Sequence, residues 1–251
     1  MSSIKQFSRT EILFGEKAIQ HFQKTKVAIM GLGGVGSYAA EALVRSGIGS
    51  FLLVDFDVIS LTNLNRQLPA LHSTIGLMKT EVMQKRMDDI NPNVEIEIFN
   101  GFFADDSKEK LLEGIDFVVD AIDSLTPKTA LLEVVYHKKI PVISSMGAAG
   151  RIDPGRIELC DISKTKIDPL ARKVRKYLHR RGIFEGIPVI YSSEKPVPQL
   201  DFEAGSQEEW IGNRGRERGT LGSVVYLPAI MGLWAASFVL RSISSLKDTE
   251  R

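Results

Sequence analysis

The stretch "VAIMGLGGVGSYAAEAL", Val27 to Leu43, constrains the fold of this chain more than any other segment. A β-rich run, Lys26–Met30, meets Gly31, Gly33, Gly34 and Gly36, and helical spacing continues to Ser46. Gly31, Gly33 and Gly36 fit G-x-G-x-x-G between a strand and a helix, the context in which the motif cradles phosphate. Glycine lets backbone N–H groups approach phosphate oxygens, and the helix N-terminus adds a favourable dipole. Asp55 stands 19 residues after Gly36, where an acid can bind a ribose hydroxyl. At this point an enzyme holding a dinucleotide and an enzyme spending ATP fit equally well.

The rest of the first 150 residues repeats the same alternation. "SFLLVDFD" (50–57) reads as a buried strand ending on acids, and 78–90 as a helix stopped at "NPN", where Pro92 cannot continue it. "VEIEIF" (94–99) alternates like a strand with one wet face. A helix over 105–113, a strand over 115–123, a helix over 127–138 and the strand "IPVISSMG" follow. Strands alternating with helices predict an α/β fold with a doubly wound, mainly parallel Rossmann-like sheet. After Gly150 the rhythm changes, which predicts a C-terminal extension (151–251) on a nucleotide-binding core (about 9–150), all within one domain of 251 residues. In that extension 168–182 reads as a basic helix, capped by Asp168, with Pro169 in its first turn and Leu170, Val174 and Leu178 as its apolar stripe. The glycine- and charge-rich stretch from Phe202 to Ser223 reads as a mobile loop, and an apolar helix follows.

Composition narrows the function. A formal net charge of +1 gives no whole-protein field toward nucleic acid, so any basic surface must be local. The single cysteine, Cys160, excludes an intrachain disulfide framework and a CxxC…CxxC zinc site. The first 25 residues carry no uninterrupted apolar core or small-residue cleavage signal, so a cytoplasmic enzyme is the expectation. "LGSVVYLPAIMGLWAASFVL" (221–240) is uncharged over about the length that spans a bilayer. Pro228, the small residues and the α/β pattern upstream favour a helix buried in the core or an interface over a membrane span.

Residues after the second strand separate the two nucleotide readings. "DFDVISLTNLNRQ" gathers Asp55, Asp57, Asn63, Arg66 and Gln67; Lys79 opens the next helix, and Asp123 closes "DAID". Strand C-termini of a parallel sheet line one crevice, which brings Gly34, Asp55 and Asp123 together. Arg66 and Lys79 add cations, and Asp123 an oxygen ligand suited to Mg²⁺. A nicotinamide ring needs no such cluster, whereas a triphosphate losing pyrophosphate does.

"GLGGVGS", "LVDFD", "TNLNRQ", the Gly76-x-x-Lys79 spacing and "DAIDS" resemble the adenylating superfamily of ubiquitin-activating enzymes and the bacterial ThiF, MoeB and HesA proteins. The resemblance implies that Gly34 and Asp55 hold the nucleoside, Asn63, Arg66 and Lys79 the phosphates of ATP, and Asp123 the Mg²⁺. Gly31, Gly33 and Gly36 shape the loop. Arg9, in "FSRTEILFG", matches an N-terminal arginine that in relatives reaches the partner subunit's ATP, which implies a homodimer. A monovalent cation (Na⁺ or K⁺) in the fold is also a feature of relatives.

The sulfur-carrier activators of the superfamily usually carry paired zinc cysteines, and many use a cysteine nucleophile; neither is present here. "NRQLPALHSTIGLMKTEVMQKRM", "DAIDSLTPKTALLE" and "GAAGRIDPGRIELCDISKTKIDPLARKVRKYL" instead resemble the tRNA threonylcarbamoyladenosine dehydratase branch, over nearly the whole chain. Some members carry a cysteine where this chain reads "PVIYSSE", with Val189 or Ile190 in its place. The branch implies ATP-dependent ring closure on a modified adenosine beside the anticodon, with the substrate supplying its own nucleophile. A tRNA partner fits the eight Lys or Arg residues against one acid between Lys164 and Arg181. Arg214, Arg216 and Arg218 are further candidates for the same RNA. A sulfur-carrier adenylyltransferase, a non-catalytic nucleotide-holding scaffold and an NAD oxidoreductase stay open as alternatives.

Overall fold

The computed structural model describes residues 5–101, 103, 108–197 and 221–244. Most of the strands are short apolar runs, because only fully buried strands can be apolar on both faces. The strands are β1 (Lys26–Met30), β2 (Ser50–Asp55), β3 (Glu95–Asn100), β4 (Phe117–Asp120), β5 (Val142–Ser145), β6 (Ile157–Asp161) and β7 (Pro188–Ser192). They make one sheet in the order β3-β2-β1-β4-β5-β7-β6, parallel except for the β6–β7 pair. Strand order reverses between β1 and β4, so a crevice opens beyond their C-terminal ends. β3 alone keeps the exposed–half-buried alternation of a wet edge.

The expected extension does more than lie beside the core. Its β7 pairs with β5 and carries β6 as an antiparallel edge, so the sheet continues past Gly150. The β6–β7 pairing joins residues 27 or more positions apart in the chain, which local pattern does not encode. Asp161 and Asp153 cap short 3₁₀ turns that aim this hairpin.

Helices cover both faces. α1 (Ser8–Phe14), α2 (Glu16–Lys24), α3 (Gly36–Ser46), α4 (Lys79–Ile90) and α8 (Tyr226–Ile243) belong to one side, with Ile29, Leu53 and Val119 in its core. α5 (Lys108–Leu111), α6 (Leu125–Lys138) and α7 (Pro169–His179) belong to the other, over Met30, Val54 and Val118. The helix expected over 105–113 is described only as α5; 104–107 lie outside the described residues, as does the part of the expected 202–223 loop up to 220, with Arg214, Arg216 and Arg218. α7 begins as predicted, with the Asp168 carboxylate accepting from the Ala171 N–H at 2.7 Å and Pro169 at its first position. Its buried stripe is Ala171, Val174 and Leu178; Leu170 is only half-buried, one position off the predicted face.

α8 packs on α3 backbone to backbone. A Cβ at Gly232 would lie 2.3 Å from the Val35 carbonyl oxygen, so only glycine permits the approach. Leu227, Met231, Ala235 and Val239 face the core, while Leu233 and Trp234 face outward.

Candidate active site

The glycine turn is built by two close approaches. Gly31 has φ +95° and donates to the Val54 carbonyl at 2.8 Å, and a Cβ there would meet the Ala121 oxygen at 2.9 Å. At Gly36 a Cβ would lie 1.8 Å from the Gly31 oxygen, so α3 starts against the end of β1. Gly33 and Gly34 lie between these points, and their amides donate to no protein acceptor among the described residues. The predicted loop therefore presents unspent N–H groups at the start of α3, as an anion site requires.

Asp55 ties the turn to β2. Its Oδ2 accepts the Leu32 N–H at 2.6 Å and its Oδ1 the Asp57 N–H at 2.8 Å. Burial holds its carboxyl above the ordinary value, and Asp57 adds to the rise; the Lys79 charge and the two amides work the other way. Each oxygen keeps acceptor capacity for a sugar hydroxyl.

The segment after β2 folds back over the turn. A 3₁₀ turn, Leu61–Asn63, is closed by a capping box in which the Asn63 Oδ1 accepts the Ser60 N–H at 3.2 Å. Asn63 is thus buried and spends its oxygen on the backbone, leaving its amide nitrogen as the group a phosphate can use. Arg66 donates to the Thr62 carbonyl and the Asn65 Oδ1, both at 2.9 Å, which holds its guanidinium over the segment. Lys79 is not a solvated cation. It is buried and pairs with the Asp57 carboxylate at 2.6 Å, because a buried ammonium needs a counter-charge.

Beyond β4 the chain turns through Ala121 and Ile122 to Asp123, an exposed carboxylate bonded to the Ser124 hydroxyl at 3.2 Å. The approach of Ala121 to Gly31 places this loop beside the glycine turn. Beneath it lies a fully buried triad that sequence reasoning missed. Lys128 Nζ meets Asp120 Oδ2 at 2.6 Å and Ser144 Oγ at 3.1 Å, and Ser144 donates to the same Asp120 oxygen at 2.6 Å. Asp120 Oδ1 accepts the Ile122 N–H at 3.1 Å. The only sequence signal was an apolar strand ending on an acid with a lysine eight residues later.

Two further walls complete the crevice. Gln67 is buried against Gly33, and its Oε1 has no hydrogen-bond partner. Pro228, at the start of α8, lies 3.1 Å from where a Gly34 Cβ would be, and Asn65 Nδ2 donates to the Ser223 carbonyl at 3.0 Å. The apolar C-terminal helix thus forms a side of the crevice.

Arg9 is not part of its own chain's crevice. Phe7 packs against Gly47 at the C-terminal end of α3, about 16 Å along an 11-residue helix from the glycine turn. Cys160 sits half-buried on β6, and burial followed by the nearby Glu158 and Asp161 charges raises its thiol above the ordinary value. That is the opposite of an activated nucleophile.

The donor set fits a nucleotide: spare amides at a helix start, an orphaned buried oxygen beside them, and a carboxylate at ribose distance along the chain. For Mg²⁺ it fits a phosphate-borne ion. Asp123 offers one carboxylate, and no cluster of three ligating side chains occurs among the described residues; Mg²⁺ usually takes one or two carboxylates, with phosphates and water completing its octahedron.

A family model described as the ThiF family matches residues 7–250. The Bacillus subtilis tRNA threonylcarbamoyladenosine dehydratase is 40% identical over 251 residues, covering 98% of this chain and 97% of that protein. The crystal structure of Escherichia coli tRNA N6-threonylcarbamoyladenosine dehydratase in complex with AMP has a TM-score of 0.86 at 35% identity, covering 96% of this chain and 94% of that one. The same enzyme in complex with ATP has a TM-score of 0.84. Matched over almost its entire length, and with a nucleotide-type crevice at the switch point of its sheet, the chain belongs to the ThiF family.

Proposed function

We propose that this protein is an ATP-dependent tRNA-modifying enzyme that dehydrates N6-threonylcarbamoyladenosine. The observation that carries this reading is the full-length likeness to dehydratases, which extends through β6, β7 and α7, beyond the nucleotide-binding core. A tRNA substrate supports a cytoplasmic reaction.

The Gly33 and Gly34 amides, Asn63, Arg66 and Lys79 bind the phosphates of ATP, and Asp55 the ribose. Lys79 exchanges part of its contact with Asp57 for phosphate. Asp123, together with the phosphates, would hold Mg²⁺, which would supply neutralisation of the charge developing on pyrophosphate. The threonyl carboxylate oxygen attacks the α-phosphorus, the α–β phosphoanhydride bond breaks, and an acyl-adenylate forms. The tethered carbamoyl group then attacks the activated carbonyl carbon, the bond to AMP breaks, and the attacking group gives up its proton. Net change in the nucleoside is the loss of one water. Attacker and carbonyl share one side chain, so the second step has the advantage of an intramolecular reaction. No protein thiol is needed, in keeping with the raised Cys160.

A second copy completes the site. Arg9 shares α1 with Ile12 and Leu13, which are 81% and 78% exposed. Such an apolar face suits burial against another protomer whose crevice Arg9 would enter.

The test is mass spectrometry of nucleosides from tRNA carrying the open-chain modification, after incubation with protein, Mg²⁺ and ATP. Loss of one water that requires ATP and disappears in Asp123→Ala is the expected result. An unchanged nucleoside, beside a positive control, would reject the reading in favour of carrier-protein adenylation, measured next by ATP–pyrophosphate exchange.

A further inference from the structure

We propose that α7 and the turn after it form a ledge that holds the single-stranded stretch of tRNA flanking the modified adenosine. Phosphates sit in a basic depression, and one unpaired base stacks on the Phe184–His179 ring pair. The proposal rests on the tRNA reading above and adds the surface and the mode of contact.

The depression is shallow, about 460 Å³, and is lined by Arg172, Arg175, Lys176, His179 and Arg180. Its charges are not spent within the protein. Arg172, Lys173 and Lys176 make no ion pair among the described residues, whereas the neighbouring Arg181 is neutralised by Glu133 of α6 at 2.5 Å. Arg175 donates to the Thr165 carbonyl at 2.9 Å, which fixes one guanidinium as the wall of the depression. In a chain of net charge +1 such an unpaired group is a local anion site.

Flat apolar surface lies at the end of the same strip. Phe184 is 61% exposed, and its ring centroid is 5.1 Å from that of His179, inclined by 43°. A lone exposed phenylalanine means little. Beside a row of unpaired cations it supplies the second half of a single-strand site, in which a basic track follows the backbone and aromatic faces take bases.

Position links the ledge to the crevice. Asp120 of β4 pairs with Ser144 of β5, so Gly147 emerges level with the Asp123 loop. A Cβ at Gly147 would lie 3.5 Å from Asp168 Oδ2, the cap of α7, which also binds buried Arg151 at 2.7 Å. α7 therefore starts at the crevice rim and runs away from it for about 16 Å.

The experiment is fluorescence anisotropy of labelled tRNA carrying the open-chain modification, titrated with full-length protein at several salt concentrations, alongside ATP affinity and nucleoside conversion. Lys176→Ala/Arg180→Ala is expected to weaken RNA binding roughly ten-fold and to reduce the slope of log K against log salt by about 1.5 to 2. Phe184→Ala is expected to weaken binding by about five-fold or more with the slope unchanged. ATP affinity should stay at the wild-type value in both. RNA affinity and slope unchanged in both variants, while wild type converts the nucleoside, would overturn the ledge and leave the functional reading standing. A wild type that neither binds nor converts the RNA would sink both.

Discussion

Lys128→Met is the perturbation whose consequence follows most directly from geometry. Lys128 and Asp120 have no solvent exposure, and their charges meet at 2.6 Å. At an effective dielectric of about 20, two unit charges that close attract by about 6 kcal/mol. Desolvation of both ions takes back much of that, and removing one member of such a pair typically costs about 3–5 kcal/mol, because the other is left charged and buried. In the variant, Asp120 keeps only the Ser144 hydroxyl and the Ile122 amide as donors. The expected loss is therefore about 4 kcal/mol, or roughly 8–16 °C in Tm at about 2–4 °C per kcal/mol for a chain of this size. Urea unfolding measures it as a lower midpoint at unchanged slope. Asp120→Asn/Lys128→Met removes both charges and should recover at least about 2 kcal/mol of the loss. A single-variant loss below about 1 kcal/mol, or a double variant no more stable than the single, would refute the buried-charge reasoning.

Asp55 makes two quantities move in opposite directions with pH. Its folded-state pKa is raised above the ordinary 3.8, so its contribution to stability is full below that value and is lost as pH rises through the folded pKa. On acidification through the same interval, wild-type melting temperature should rise relative to Asp55→Asn while ATP affinity falls; calorimetric titrations showing a flat ATP affinity would contradict the ribose role. Cys160→Ala should convert the nucleoside at close to the wild-type rate, since burial raises its thiol and the acceptor lies in the substrate; a hundred-fold loss, about 2.7 kcal/mol of activation free energy, would mean that a protein thioester is involved. Gly36→Ala places a Cβ 1.8 Å from the Gly31 oxygen, and neither atom can yield without separating α3 from β1. Loss of soluble protein is expected, and a variant that folds with normal ATP affinity would show that the turn is not the close junction described.

Much of the architecture was legible because it follows from local rules. β1 was placed residue for residue, since a short apolar run between polar flanks and glycine allows few other readings. Asp168 and Pro169 marked the start of α7 through capping chemistry that needs no tertiary information. The hairpin of β6 and β7 was half-legible: each run is apolar enough for a strand, but only the edge offered by β5 decides that they extend the sheet. The same limit applies to α8. Its composition suits a bilayer, a core or an interface, and what decides is a contact between Gly232 and the α3 backbone that no periodicity reveals.

The site divides along the same line. The placing of the glycines, Asp55 and the Asp123 loop around one crevice was readable, because motif spacing and parallel strand order bring strand C-termini together. The state of the cations was not readable. Nothing in "DFDVISLTNLNRQ" says that Lys79 is held by Asp57, because both are as compatible with solvent as with burial, and only the bridge between Val58 and Met78 brings them together. The Asp120–Lys128–Ser144 triad is the extreme case. Charged residues are almost never fully buried unless paired, so a sequence reader assigns Lys128 to a solvated helix face, as the base rate recommends. Yet Asp120 ends a strand whose neighbours on both sides are apolar, and Lys128 lies in the first turns of the helix that must pack back over that strand. An acid forced inward by strand register requires a cation within reach, and Lys128 fulfils that requirement. The Asp123 loop is therefore anchored one layer below the crevice, where motif reading has no signal and the cost of an unpaired charge supplies one.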